Sequence, residues 1–491
     1  MARLTVLAAL LPLVLHATAT APSHQPPQHD PVCLQIQKVI SRASAVYFPG
    51  DERYASGIAH WASSSNENST CVVEPGSSKD VAAVLRIVGQ YKTPFAVKGG
   101  GHASNVGFSS TTGVQIAMSR FSDVEYNAHS QTAEIGAGLI WDDVYAALEA
   151  HNVSVVGGRV SGVGVAGFTL GGGYSWLTNQ HGLTVDTVVA YELVKPNGQV
   201  EVVNKATDPA LFFALKGGFN NFGIVTKFTL KTFPMTGVWG GFQFVAGSDI
   251  AQNTAAVADF CANVKDPKAN IISNFGCHAY CFTFQPAMTQ ILFYDGPNPP
   301  AGIFEKLLAV PTVIADVSSR NMSSFMKSVP DNAGLRGAFH TVPILKFTPS
   351  LLNVIANEST FWGSQLASKG AGLISYAIEP FQPDIYKHNP DKTAYPPVRD
   401  VGYLPLNLYF AWVPAEFDDD FHAAMVASGD VIRKAALAEG QDITNGPLYP
   451  NYALPETPLS AMYGKNVAEL HRIKKTVDPK NVMGLAGGFK F

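Results

Sequence analysis

The sequence predicts a mixed fold of helices and strands in two main domains, and three observations predict it. The first half alternates short strands, helices and glycine-rich turns. Around Phe233-Pro234 the texture changes: residues 237–440 lose the glycine triplets and gain longer apolar strands and helices. At 491 residues the chain is long enough for two or three domains of roughly 150 residues each. Its 46% hydrophobic and 15% charged residues supply a large core. The net charge of −4, with no basic stripe, excludes nucleic acid as an expected partner.

Taken in order, residues 1–19 read as a signal peptide. Arg3 gives a positive start, Leu4 to Leu15 is apolar apart from Thr5, and small residues lead to cleavage after Ala19. The run is too short to span a bilayer, so the expectation is a secreted protein without a membrane anchor. Sequons at Asn68, Asn152, Asn321 and Asn357 would carry glycans on surface loops. Five cysteines suit an oxidising compartment. Cys33 and Cys71 are the expected disulfide, and the pairing of Cys261, Cys277 and Cys281 stays open. Cys277-His278 with Cys281 does not form a metal motif, and no metal is expected.

Residues 20–62 form an N-terminal segment, loose over 22–32 and helical in spacing from Cys33 to Ala45. Asp80 to Val88 is a helix starting at Ser78. Pro94 to Val97 is a buried strand running into a glycine triplet. Val114 to Met118 and Thr132 to Ile135 alternate like strands, and Trp141 to Ala150 is an amphipathic helix. Pro196-Asn197-Gly198 joins two strands as a hairpin turn. Ile224 to Leu230 and Leu404 to Trp412 read as strands, and Phe421 to Leu437 and Val467 to Val477 as helices. No internal repeat is present.

Three glycine clusters carry the chemistry. Lys98-Gly99-Gly100-Gly101-His102-Ala103 follows a strand, where converging N–H groups can nest an anion and His102 would close the nest. The run from Gly157 to Gly173 contains a literal G-x-G-x-x-G at Gly162, Gly164 and Gly167. That spacing reads naively as a dinucleotide fingerprint. A Gly triplet follows it and the βαβ pattern is missing, so the expectation is extended backbone packed against a large flat ligand. Gly217-Gly218 to Thr226 again sets glycines before a strand. Together the clusters argue for one long cofactor gripped by main chain.

In these motifs the sequence resembles the flavoproteins related to vanillyl-alcohol oxidase and p-cresol methylhydroxylase, in the berberine-bridge-enzyme-like branch. The resemblance is strongest in "VKGGGHASNVGFSS", "SGVGVAGFTLGGGYSWLTNQHGLTVD", Gly217 to Thr226 and Tyr449 to Gly484, and looks most like secreted fungal members. It implies an α+β fold. A two-subdomain FAD-binding domain of the p-cresol methylhydroxylase type spans 63–236, and an antiparallel-sheet substrate domain backed by helices spans 237–444. A C-terminal berberine-bridge-like segment, 445–491, returns to the FAD domain.

The same resemblance implies roles. His102 would bond FAD covalently, an imidazole nitrogen being nucleophilic toward an electrophilic flavin form. Gly99, Gly100, Gly101 and Ala103 would cradle the pyrophosphate. Gly162, Gly164, Val165 and Gly167 would pass the flavin and ribityl chain, with Asp186 and Ile224 toward the adenosine. Many relatives add a second link through a Cys; Val160 stands at that position, so a single link is expected. Tyr449-Pro450-Asn451-Tyr452 matches the family's Y-x-N-Y, placing Asn451 at the flavin and Tyr452 as catalytic base. A base role needs a neighbour that favours the phenolate, and the sequence does not identify one. Alternation along Leu404 to Trp412 puts Pro405, Asn407 and Tyr409 on one face, with Asn407 and Tyr409 as substrate contacts. His278 and Tyr376 are weaker candidates. The expected reaction passes a hydride from an alcohol, amine or activated C–H of a small molecule, a secondary metabolite or carbohydrate, to flavin and then to dioxygen. The alternatives are a dehydrogenase that does not use dioxygen, and a non-redox cyclase or binding protein. The expected partners are the small-molecule substrate and dioxygen, in a monomer.

Overall fold

A computed structural model describes residues 29–280, 283–329 and 333–491, with the side chains of 278–280 and 283–284 left aside. The proposed signal peptide, Cys281 and the side chain of His278 therefore lie outside the described residues. Three sheets organise the chain. The first contains β1 (Ala45–Tyr47), β2 (Cys71–Glu74), β3 (Phe95–Lys98) and β4 (Val114–Ala117) in the order β1-β2-β4-β3. β2 and β3 both run parallel to β4. The helix Ser78–Tyr91 connects them, its Ser77 cap accepting from the Asp80 N–H and Lys92 ending it in the left-handed region. Val81, Val84, Leu85 and Val88 on its inner face are fully buried.

The second sheet has β5 (Val124–Asn127), β6 (Thr132–Gly136), β8 (Val188–Val194), β9 (Val200–Val203) and β10 (Ile224–Lys231), ordered β5-β6-β10-β8-β9 and antiparallel throughout. The Asn197-Gly198 turn joins β8 to β9, with Gly198 at φ +83°. A two-residue pair, β7 (Val153–Ser154) with β11 (Phe233–Pro234), lies beside it.

The third sheet is the largest. It has β12 (Val238–Ala246), β13 (Ala269–Tyr280), β14 (Thr283–Tyr294), β15 (Ile314–Arg320), β16 (Arg336–Ile344), β17 (Ala371–Ile378) and β18 (Leu404–Trp412). The order is β15-β12-β14-β13-β17-β18-β16, all antiparallel. The helices Ile250–Asn263, Pro349–Leu366 and Asp418–Ala438 pack on its back face. The C-terminal segment then returns to the first sheet: Ala486 bridges Phe95, and the Phe489 carbonyl accepts from Asn221 Nδ2.

Cys33 and Cys71 form a disulfide, and Cys261 and Cys277 are reduced. One local expectation is corrected. The N-terminal helix begins at Pro31, capped by the Asp30 carboxylate, and ends at Val39 rather than running to Ala45. Asp30 supplies the acceptor and Pro31 the preset φ that start a helix there. No described helix is long and apolar enough to cross a membrane.

Candidate active site

Strand β3 delivers the chain into Gly99-Gly100-Gly101, and the turn depends on two local facts. Gly101 sits at φ +75°, in the left-handed region. A Cβ on Gly100 would lie 2.6 Å from the Gly164 Cα, so the first two glycine runs touch backbone to backbone. The Gly101 carbonyl accepts from the Trp61 N–H at 2.9 Å, and the Trp61 ring stacks on His102 at 4.2 Å. His102 is thus set by the turn behind it and an indole plane beside it.

The second run is pinned to the start of the helix Trp141–Glu149. Trp141 N–H donates to Val163 and Val165 N–H to Leu139. Here one expectation is overturned. The G-x-G-x-x-G does open a helix, Val165–Leu170, rather than lying extended. It lasts six residues, and the triplet Gly171–Gly173 that seemed to forbid it lies past its end. The following chain forms two four-residue helices before β8, so the βαβ unit of a dinucleotide fingerprint is absent from this stretch. Most of these glycines also serve protein packing. Gly157 and Gly158 lie against the Trp141 ring and Gly171 against the Asn451 side chain; a Cβ on Gly162 or on Gly167 would meet nothing within 4 Å, and of these two only Gly167 lines the central cavity.

These elements and the third sheet enclose a cavity of about 660 Å³. Gly99, Gly100, Gly101, His102, Ala103, Val160, Gly164, Gly167, Ile224, Asn451, Tyr452, Asn407 and Tyr409 all line it. Gly162, Val165 and Asp186 do not. Gly162 N–H donates to Asp142, and Val165 is fully buried. Asp186 receives the Leu183 N–H, Asn389 and Arg399, whose guanidinium lies at 2.8 Å. Pro405 shares the face of Asn407 and Tyr409 but stays outside the cavity, while Tyr376 faces the back and bonds Ser428.

Two residues absent from the sequence reading complete the site. Arg159 donates to Glu379 at 2.6 Å and to the Tyr452 hydroxyl at 3.0 Å; Tyr452 in turn donates to the other Glu379 oxygen at 3.1 Å. Arg159 and Glu379 are 6% and 2% exposed, so this charge pair is desolvated. Arg159 is the sole charged side chain between Glu149 and Asp186, which is a legible signal. Glu379 directly follows β17, some 220 residues away. Arg159 also lies over the Phe381 ring, and the Trp176 indole N–H fixes its carbonyl.

The electrostatics follow from burial and pairing. Burial raises the Tyr452 phenol, and Glu379 adds to this while Arg159 opposes it. Burial raises the Glu379 carboxyl against the pull of Arg159. Burial alone would lower Arg159, but Glu379 and then Tyr452 more than offset it and leave it raised. Tyr449 is pushed up to about 12 by burial, opposed by a bond from Asn451, whose amide spans the Tyr449 hydroxyl and the Phe168 carbonyl.

The lining fits FAD. A main-chain loop at Gly99–Ala103 can meet a pyrophosphate, the open space at Gly167 admits a flat group, and His102 lines the same cavity. No described cluster of His, Cys, Asp or Glu could hold a metal.

A fold with a main-chain-lined slot under an antiparallel sheet defines a flavin-dependent oxidoreductase of the p-cresol methylhydroxylase type. The FAD binding domain family matches residues 69–204, and the Berberine and berberine like family matches residues 448–486. The FAD-dependent monooxygenase FUP4 of Fusarium proliferatum is 31% identical, over 83% of this chain and 82% of its own. The FAD-dependent monooxygenase drtC of Aspergillus calidoustus is 28% identical, over 97% and 95%. An uncharacterized FAD-linked oxidoreductase of Arthroderma benhamiae is 36% identical over 52% of this chain, which spans about half (51%) of that relative. Among solved structures, Physcomitrella patens BBE-like 1 superposes with a TM-score of 0.75 at 21% identity, covering 92% of this chain and 97% of that one. This chain belongs to the berberine-bridge-enzyme-like family of FAD-dependent oxidoreductases.

Proposed function

We propose that this chain is a secreted, monomeric oxidase of a small molecule, with FAD tethered through His102 alone and dioxygen as the final acceptor. One observation carries the reading: the Tyr452 hydroxyl is held between Arg159 and Glu379 inside the cavity that His102 and the Gly99–Ala103 loop line. Bound FAD supplies the two-electron acceptor, and the protein supplies orientation and proton movement. Asn407 and Tyr409 orient the substrate from the sheet. A substrate O–H or N–H proton passes to the Tyr452 oxygen as the Tyr452 proton passes to Glu379. Arg159 keeps Glu379 a carboxylate before that transfer and favours the phenolate character of Tyr452 during it. Gly99, Gly100, Gly101 and Ala103 hold the pyrophosphate; Gly164 and Gly167, with Asn451, hold the flavin; Ile224 lies toward the adenosine. Val160 offers no sulfur for a second link.

The Cys33–Cys71 disulfide supports export to an oxidising compartment, and Asn68, Asn152 and Asn321 are exposed outside helices and strands, as loop glycan acceptors should be; Asn357 is exposed too, but within the helix Pro349–Leu366 rather than on a loop. The kinship with FAD-dependent monooxygenases of fungi supports a secondary metabolite as substrate. The test is acid precipitation. The pellet should be yellow, flavin mass should sit on the peptide containing His102, and His102→Ala should release the colour. A colourless pellet from flavin-loaded protein sinks the tether; peroxide absent on substrate turnover in air sinks the oxidase.

A further inference from the structure

The cavity does not end at Tyr452. Its roof crosses the third sheet from β18 and β17 through β13, β14 and β12 to the edge strand β15, and the character of the roof changes on the way. Under β17 and β18 the polar groups gather: Ser375, Glu379, Asn407 and Tyr409 line it beside the apolar Leu373 and Ala377. Under the other strands it is apolar, made by Phe242, Ile272, Ile291, Val313 and Ile314, with Val329 from the far wall. Strand alternation explains this: Phe242, Ile272 and Ile291 are register neighbours on the same face. The two polar side chains in this half, Asn274 and Thr289, bond each other at 2.9 Å. Four strand spacings separate β17 from β15, about 19 Å at ~4.8 Å each. At that far edge Val313 and Ile314 are each 55% exposed, so the apolar arm opens to solvent.

We infer that the substrate is amphipathic, with a polar reacting end at Tyr452 and an apolar chain or ring system lying along β13, β14 and β12 toward the β15 edge. This rests on the proposed active site and narrows its substrate class. An oligosaccharide presents hydroxyls along its whole length, and this arm offers them an Asn274–Thr289 pair already bonded within itself. An alkyl, polyene or fused-ring body needs no such partners and gains by leaving water.

The test uses the flavin-loaded protein and the 1-alkanols from butanol to dodecanol, against glucose and cellobiose. Binding is read by perturbation of the flavin absorbance and, independently, by displacement of Nile red. The expected result is a dissociation constant falling roughly fourfold per methylene until the arm is full, with no perturbation by the saccharides. Ile291→Phe should cost dodecanol at least tenfold more than butanol, and Val313→Asp, on the exposed rim, should penalise only the longest members. Saccharide binding with no alkanol length dependence would overturn the inference. So would a length dependence that both variants leave untouched. Protein that never acquires a flavin band defeats the FAD reading, while dye displacement by the alkanol series still decides the apolar arm.

Discussion

A phenol surrounded by protein holds its proton more tightly than one in water, because burial penalises the phenolate. Tyr452 is such a phenol, and alone it would be a poor base. Its two neighbours change what it can do: with Glu379 accepting its proton, it never has to carry a full charge. Tyr452→Phe and Glu379→Gln should each lower the rate of flavin reduction by roughly 10²- to 10⁴-fold at saturating substrate, measured by stopped-flow bleaching without air. Equal rates in Tyr452→Phe and wild type would remove Tyr452 from the chemistry. Arg159→Lys gives a directional test. A lysine pairs less well with the carboxylate, so Glu379 should protonate at higher pH, and the acidic limb of the kcat/KM profile should move upward. An unmoved limb would show that Arg159 does not set this proton affinity. His102 and Tyr452 were legible because each sits in a contiguous motif. Arg159 was visible as a lone charge in a glycine run, but its meaning depends on a carboxylate brought beside it by the fold.

Elements whose pattern is local were legible to within a few residues. The helix Trp141–Glu149 and the strand Leu404–Trp412 appear where periodicity puts them, and alternation on the latter correctly paired Asn407 with Tyr409. The helix at Val165 is hidden in the sequence because a glycine triplet looks like a breaker when it is in fact the stop. Strand β17 shows why Glu379 was missed: Leu373 to Ile378 is buried on both faces, so no alternation marks an inward side. Element-scale constraints also yield two predictions. The Cys33–Cys71 link ties the first helix to β2 across a separation of 38 residues. Replacing both by Ser should destabilise the protein by about 4 kcal/mol through loop-closure entropy alone, read in urea unfolding; an unchanged midpoint would mean the unfolded chain is already held. Gly100→Ala forces a carbon into the Gly164 backbone. Neither side is a flexible side chain that could swing aside, so it should lower both the melting temperature and flavin incorporation, where Gly167→Ala, facing open space, should lower incorporation alone.

At the scale of the whole molecule, the substrate sheet and the cofactor slot meet only if the back of that sheet is firmly held, and that backing contains a histidine that the reaction does not use. His340 on β16 packs against Gly429 of the helix Asp418–Ala438. Burial pushes its pKa down to about 4, partly opposed by Glu456 and Asp430 and reinforced by His422. Across the molecule, burial likewise pushes His181, stacked on Phe233, to about 4. A histidine neutral in the fold but ordinary when unfolded, near 6.5, binds its proton more readily in the unfolded chain. Its contribution is fully present above about 6.5 and is lost as pH falls toward about 4. Acidification across that window should therefore lower the melting temperature, with His340 accounting for about 3 kcal/mol. His340→Gln carries no titrating charge and should flatten part of the decline while leaving the Tyr452-dependent rate at pH 7 near wild type. A decline of the same steepness in His340→Gln would place the acid sensitivity elsewhere. A decline confined below pH 4 would mean that neither histidine feels the burial on which the prediction stands.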